Sequence, residues 1–117
     1  MKVSIYHNPR CSKSRRALEL LTERGIEPEI ILYLETPPDA VQLRGIITML
    51  GITPRQLLRA GESEYRQLGL DAGELGDEEI IVAMASHPRL IERPIVVAGG
   101  RACIGRPPER IHEILDQ

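Results

Sequence analysis

The sequence contains no tryptophan and no phenylalanine, and its three tyrosines bring the aromatic share of the 117 residues to only 3%. The interior of the folded chain must therefore be built from aliphatic side chains. Hydrophobic residues still make up 42% of the chain and charged residues 27%, which is ordinary for a globular protein. This length and composition predict one domain, residues 1–117, with a hydrophobic core of its own.

Long hydrophobic runs are also missing. After Met1 and Lys2 the first apolar run is too short for the hydrophobic part of a signal peptide. No stretch approaches the roughly 20 residues of a transmembrane helix. The formal net charge of −2 gives no general attraction to nucleic acid or to a membrane surface. We therefore expect a cytoplasmic protein that binds neither, and a monomer, since no face is obviously spare and apolar.

Cysteine is scarce, since Cys11 and Cys103 are the only two and lie far apart in the sequence. A cytosolic chain with two thiols does not build a disulfide framework. Cys103 leaves two interpretations open. It is either a structural cysteine of a strand, because free cysteine is commonly buried, or a resolving or regulatory thiol.

The most informative stretch surrounds Cys11. It follows a short apolar run and opens into a helical pattern, so that a cysteine lies at the start of a helix. Backbone N–H groups at such a position favour an anion, and a thiolate, the nucleophilic form of cysteine, is stabilised there and beside cations. The nearby cations are Arg10, Lys13, Arg15 and Arg16. The stretch therefore predicts a nucleophilic sulfur next to a binding place for an anion.

Two further side chains have a regular spacing from this thiol. Arg15 comes four residues after Cys11, which places it on the same helical face one turn further on. His7 comes four residues before Cys11 at the end of the preceding strand. It either tunes the thiol or only braces the turn.

The periodicity predicts the element order β-α-β, then a block of helices, then β-β-α. Strands are expected at residues 2–6, 29–33, 93–97 and 101–104. Helices are expected at about residues 12–24, 39–50, 54–59, 63–68 and 77–86, with a last helix opened by Pro107.

This order predicts an α/β fold of the thioredoxin and glutaredoxin type. Such a fold has a mixed four-stranded sheet with flanking helices, here with a helical insert at about residues 39–87 between the βαβ and ββα halves. Pro94 occupies the place before the third strand where these folds carry a proline. The sequence does not show whether the bond before Pro94 is cis or trans.

Several separated segments carry a resemblance to a known family when they are taken in order. They are residues 5–9 with Cys11 and Arg15, then residues 33–38, 57–59, 68–70, 87–88, 93–97 and 106–109. In this order they resemble the glutaredoxin-coupled arsenate reductase family, the ArsC type with a thioredoxin-like fold. The resemblance covers nearly the whole chain.

The resemblance implies roles for residues on either side of the first turn. Cys11 is implied to be the catalytic nucleophile, and His7 matches the position that tunes its thiol. Arg15 completes a His-xxx-Cys-xxx-Arg pattern. Position 14 is serine, so there is no Cys-x-x-Cys pair, which disfavours dithiol chemistry and fits a thiol that needs an outside reductant.

The resemblance also implies a substrate and a reaction. Arg59, Arg93 and Arg106 are implied to form a cradle for an oxyanion, whose geometry suits the planar donors of arginine. Cys11 would attack arsenate, glutathione would form a mixed adduct on arsenic and reduce it to arsenite, and glutaredoxin would return Cys11 to the thiol. Glutathione is then a co-substrate, and no metal or bound organic cofactor is needed.

Two other functions stay open at this point. One is a general glutathione-dependent thiol–disulfide oxidoreductase without arsenate specificity. The other is a regulator similar to Spx, which binds RNA polymerase, although Spx-type proteins generally carry Cys-x-x-Cys where this chain has residues 11–14. The plasmid-borne arsenate reductases have a longer C-terminal tail and a different spacing before Arg106. We therefore expect a short homologue whose arsenate activity is weak or whose thiol substrate is different.

Overall fold

The computed structural model describes residues 2–116, and the chain divides into two compact units. The first unit combines both ends of the chain, up to Thr36 and from Arg93 onward, and the second spans Pro37–Glu92. The helical insert expected at about residues 39–87 falls within the second unit. Among the described residues, no helix has both the length and the apolar character needed to cross a membrane.

The first unit contains a mixed four-stranded sheet. Its strands are β1 (Val3–Tyr6), β2 (Glu29–Ile31), β3 (Ile95–Ala98) and β4 (Arg101–Ile104), in the spatial order β2-β1-β3-β4. Strand β1 is parallel to β2 and antiparallel to β3, and β3 and β4 form an antiparallel hairpin. Helix α1 (Ser12–Glu23) is the crossover that the parallel pair requires. The predicted thioredoxin-like sheet is confirmed.

One face of this sheet and α1 enclose an aliphatic core. Val3 and Ile5 alternate along β1, and they are buried together with Val96 and Ala98 of β3, as the period of two of a strand requires. The other members of the cluster come from α1, from β4 and from the last helical segment, and they are Ala17, Leu20, Leu21, Cys103, Ile111, Ile114 and Leu115. Burying one such large aliphatic side chain contributes about 1.5–3 kcal/mol. The core therefore fixes α1, and with it the thiol that precedes α1.

The second unit consists of helices and short 3-10 turns. Its α-helices are α2 (Ala40–Leu50), α3 (Ser63–Gln67) and α4 (Asp77–Ser86). Asp39 begins α2 through a capping box, in which its carboxylate accepts from Gln42 N at 2.8 Å while Gln42 Oε1 accepts from Asp39 N at 2.9 Å. Such caps satisfy backbone donors that a helix start leaves unpaired.

Some predicted boundaries are wrong at their ends. The strand expected at 29–33 stops at Ile31, because the carbonyl of Leu32 accepts the N–H groups of Glu35 and Thr36, both at 2.9 Å, and turns the chain. The strand expected at 93–97 begins at Ile95, since Pro94 has no N–H to give a ladder.

Two predicted helices differ in type or position. The segment expected at 54–59 is a 3-10 helix over Pro54–Leu57. The last helix begins as a 3-10 turn, Pro108–Ile111, and continues as α5 (His112–Leu115). The peptide bonds before Pro94 and Pro107 are both cis.

Gly105 packs closely against Pro94. Gly105 N donates to Pro94 O at 2.9 Å, and a Cβ added at position 105 would meet Pro94 Cγ at 2.9 Å. Carbon atoms that are not bonded do not pack so closely, and the proline ring has little freedom to move aside. Glycine is therefore required here by space.

We predict that Gly105→Ala destabilises the protein by about 1–3 kcal/mol, the usual cost of overpacking. Urea unfolding of wild type and variant measures this difference. Gly45→Ala is the matched control, because position 45 is exposed inside α2 and an added Cβ meets nothing within 4 Å. That variant should be more stable by about 0.5–1 kcal/mol, since alanine favours a helix interior. Equal stability of Gly105→Ala and wild type would contradict the prediction.

Candidate active site

The register of the sheet brings three chain segments to one end of the first unit. Tyr6, the last residue of β1, pairs with Ile95, the first residue of β3. Ile95 in turn pairs with Ile104, the last residue of β4. The loop after β1, the residues before β3 and the residues after β4 therefore adjoin the same edge of the sheet. Side chains from all three segments can therefore contribute to one site.

Cys11 lies at this edge as the N-cap residue of α1. Its backbone is extended, with φ −95° and ψ 122°, and its side chain makes no capping hydrogen bond. Cys11 N donates to Asn8 O at 3.0 Å, and its carbonyl accepts from Arg15 N at 2.9 Å. Cys11 is half-buried and stands at the positive end of the helix dipole, a position that favours an anion. The predicted position at a helix start is confirmed, whereas the role of Cys11 as nucleophile stays a prediction.

Ser14 is a residue of the site that sequence reasoning missed. Its side chain is fully buried, and Ser14 Oγ lies 2.7 Å from His7 Nδ1. The same oxygen accepts from Asn8 N at 3.0 Å. The hydroxyl hydrogen can donate to Nδ1, or the second lone pair of the oxygen can accept from an Nδ1–H, so the contact suits either tautomer. Ser14 thus fixes the position of His7.

His7 is buried, with 6% of its surface exposed. Burial lowers the pKa of His7 below its ordinary value of 6.5, and the positive charge of Arg15 lowers the pKa further. The imidazole is therefore neutral at neutral pH. A neutral imidazole carries its proton on one ring nitrogen and accepts at the other.

Arg15 is exposed, and it braces the loop that precedes Cys11. Its Nη1 donates to the carbonyl oxygen of Pro9 at 2.9 Å. The side chain of Asn8 closes the same loop, since its Oδ1 accepts from Arg10 N at 3.0 Å. These two contacts hold the loop in a fixed shape and keep a positive charge beside it.

Arg93 and Arg106 lie together at the same edge of the sheet. Arg106 Nη1 donates to the carbonyl oxygen of Arg93 at 3.2 Å. Arg93 Nε is buried and has no hydrogen-bond partner in the part of the chain that the structure describes. A buried donor without a partner costs free energy, and a ligand that accepts from it would remove that cost. This arrangement suits an anion.

Arg59 belongs to the second unit, where it takes part in a network of ion pairs. Its Nη1 donates to Glu92 Oε1 at 2.9 Å, and its Nε lies 3.5 Å from Glu62 Oε1. Its backbone N donates to Leu90 O at 2.8 Å. The contribution of Arg59 to an oxyanion cradle stays a prediction.

Cys103 is buried in β4 with 5% of its surface exposed. Burial raises the pKa of the Cys103 thiol to about 11. A thiol must lose its proton to act as a nucleophile. Of the two interpretations of Cys103, the structural one is therefore favoured.

The first unit thus has the features of a thioredoxin-like thiol protein, with one half-buried and one buried cysteine. A cysteine begins the first helix, a cis-proline precedes the third strand, and arginines flank both. The ArsC family model matches residues 6–114. The chain belongs to the ArsC family.

Relatives agree over nearly the whole length. An uncharacterized protein of Escherichia coli K12, YfgD, is 55% identical over 97% of each chain. A protein of Neisseria meningitidis named arsenate reductase is 49% identical over 97% of this chain and 98% of its own. The solved structure of an arsenate reductase from Vibrio cholerae has 50% identity and a TM-score of 0.95, covering 97% of this chain and 98% of its own.

We predict that Ser14→Ala destabilises the protein by about 1–3 kcal/mol, because the substitution leaves His7 Nδ1 and Asn8 N without their partner. Chemical denaturation measures the loss, and the ¹⁵N shifts of the imidazole report the tautomer populations, which should change when Nδ1 loses its partner. Ser12→Ala is the control, since Ser12 is exposed at the start of the same helix. A Ser14→Ala protein with wild-type stability and tautomer would show that the contact does not orient His7.

The lowered pKa of His7 gives a pH dependence of stability. Below 6.5 the unfolded chain takes up a proton at this histidine before the folded chain does, so lowering the pH favours the unfolded state. The contribution is fully present above 6.5 and is lost as the pH falls through the folded pKa. The free energy of unfolding of wild type relative to His7→Gln should therefore fall in this window. A constant difference across the window, measured by denaturation at each pH, would contradict the assignment.

Proposed function

We propose that this protein is an oxidoreductase that reduces arsenate to arsenite with glutathione and glutaredoxin, using Cys11 as its single nucleophile. The observation that carries the proposal is the buried Nε of Arg93, which has no hydrogen-bond partner among residues 2–116 and lies at the sheet edge that Cys11 also adjoins. Relatives with 49% and 50% sequence identity to this chain bear the name arsenate reductase. No metal or bound organic cofactor is required, and we place the reaction in the cytoplasm.

The anion would bind between donors of three kinds. Arg93 offers its buried Nε, and Arg106 is held beside Arg93 by the contact between Nη1 and the Arg93 carbonyl. The N–H groups at the start of α1 add a partial positive charge. Arginine suits a tetrahedral oxyanion because its planar donors bind two oxygens at once. The resemblance adds Arg59 to this set.

The first chemical step would form a bond between Cys11 Sγ and arsenic, and one oxygen of arsenate would leave as water. The start of α1 stabilises the attacking thiolate. A ring N–H of His7 and the charge of Arg15 would stabilise the negative charge near the reacting atoms. No electrons are transferred in this step, since arsenic stays in the +5 state.

The two electrons would come from thiols outside the chain. A glutathione thiol displaces a second oxygen as water and forms a second sulfur–arsenic bond. A glutaredoxin thiolate then attacks the glutathione sulfur, forming a disulfide, and the electron pair of the broken bond stays on arsenic, which becomes +3. Water releases arsenite from Cys11 and restores the thiol. One disulfide is formed for each arsenate reduced, which closes the electron balance.

The test is arsenate-dependent oxidation of NADPH, coupled through glutathione reductase, glutathione and glutaredoxin. We expect turnover by wild type and none by Cys11→Ser, because a hydroxyl at this position is far less nucleophilic than a thiolate. Loss of a charged hydrogen bond costs about 1.5–3 kcal/mol, so Arg93→Ala should lower kcat/KM by about ten- to hundredfold. Arg101→Ala is the matched control, since Arg101 is exposed at the opposite end of β4.

Two results would contradict the proposal. Turnover that survives in Cys11→Ser would remove Cys11 from the mechanism. No turnover by a wild type whose Cys11 still reacts with a thiol probe would reject arsenate as substrate. Reduction of glutathionylated disulfides in the same coupled assay would then support the general thiol–disulfide oxidoreductase.

A further inference from the structure

An open groove runs along the outer side of α1. We call it the α1 groove, and its volume is about 620 Å³. The helix contributes Arg15, Leu18, Glu19, Thr22 and Glu23 to its lining. The segment before the helix contributes His7 and Pro9. The proposed function uses two of these residues and leaves the others without a role.

The groove begins one helical turn beyond the thiol. Cys11, Arg15, Leu18 and Thr22 follow one another at spacings of four, three and four residues, which places them along one face of the helix. At a rise of 1.5 Å per residue, Arg15 lies about 6 Å and Glu19 about 12 Å beyond Cys11 along the helix axis. A molecule in the groove is therefore within reach of the Cys11 sulfur.

The charges in the groove follow an order. The cation, Arg15, is nearest to Cys11, and Glu19 and Glu23 come one and two turns later. Leu18 supplies an apolar surface between them. Arg16 pairs with Glu19 and Glu23 only at 3.4 and 3.3 Å, and all three side chains are largely exposed. Exposed pairs of this kind are weak, so a ligand can compete for the two carboxylates.

This order matches the head of an α-amino acid, which carries a carboxylate and an ammonium group on one carbon. Residues four apart on a helix are neighbours, and helical side chains lean toward the N-terminus, so Glu19 extends back over the turn of Arg15. A ligand without charges would form no ion pair with these side chains. A simple anion would meet two carboxylates as well as the cation.

We propose that the α1 groove binds the γ-glutamyl end of glutathione and delivers its thiol to the adduct on Cys11. The inference rests on the proposed function, in which glutathione is the co-substrate. The α-carboxylate pairs with Arg15, and the α-ammonium pairs with Glu19 and Glu23. An extended γ-glutamyl chain spans about 8 Å from its α-carbon to the cysteine sulfur, which matches the distance from the Arg15–Glu19 turn back to Cys11.

The test uses S-methylglutathione, which cannot react because its sulfur is blocked. Titration into ¹⁵N-labelled protein should shift the amide signals of residues 15–23, and the shifts give a dissociation constant. Glu19→Gln should weaken binding about two- to fivefold, the usual effect of losing an exposed charge pair. Glu27→Gln, an exposed position outside the groove, should leave the dissociation constant unchanged.

A second ligand tests the pairing itself. An analogue with glutaryl in place of γ-glutamyl lacks the α-ammonium but keeps the rest of the molecule. If Glu19 pairs with the ammonium, Glu19→Gln weakens S-methylglutathione but leaves the analogue unaffected, as a double-mutant cycle requires. Equal effects on both ligands would overturn the pairing. Shifts confined to residues near Arg93 and Arg106, or no shifts at millimolar ligand, would overturn the groove.

This readout is separate from arsenate turnover. Turnover without shifts on α1 would leave the proposed function intact and reject the α1 groove as the glutathione site. Shifts on α1 without arsenate turnover would reject arsenate and keep the groove as a glutathione site for disulfide exchange. The two proposals therefore fail in different experiments.

Discussion

The sheet edge that Cys11 adjoins, where we propose the active site, depends on one buried hydroxyl. Ser14 sits in the first turn of α1, and its oxygen bonds both His7 at the end of β1 and the backbone N–H of Asn8. The sheet and the helix are thereby joined across the loop that carries Cys11. A buried hydrogen bond is worth little in net terms, but leaving its partners unsatisfied is expensive. The loop conformation that places the thiol at the helix start is therefore the one in which this hydroxyl is used twice.

Much of this arrangement could be predicted from the sequence, because it follows from local patterns. A short apolar run predicted β1, the helical pattern after Cys11 predicted α1, and the element order predicted the mixed sheet. The ends of β2 and β3 were not predictable. Strand β2 ends early because the Leu32 carbonyl accepts from two later backbone N–H groups, and the residue types do not reveal this. Strand β3 begins at Ile95, since Pro94 has no N–H to donate to the ladder.

Ser14 illustrates what a sequence does not show. Its burial and its two partners arise only when α1 packs against the sheet. In the sequence alone, Ser14 is informative only because it is not the second cysteine of a Cys-x-x-Cys pair. Conversely, Arg93 and Arg106 were suggested by resemblance and not by pattern. The register of β1, β3 and β4 then explains why Arg93 and Arg106, thirteen residues apart, lie at one edge. Arg59 lies in the second unit and not in the sheet, so the strand register gives no information about its role.

The burial of Cys103 has a consequence for how the protein responds to oxidants. With a pKa of about 11, the Cys103 thiol stays protonated at neutral pH. Cys11, the proposed nucleophile, therefore has no second thiolate in the chain with which to form an internal disulfide. A sulfenic acid or mixed disulfide formed on Cys11 would then be reduced by thiols from outside the chain. In the proposed reaction, the redox state of Cys11 would therefore be set by the thiols around the protein.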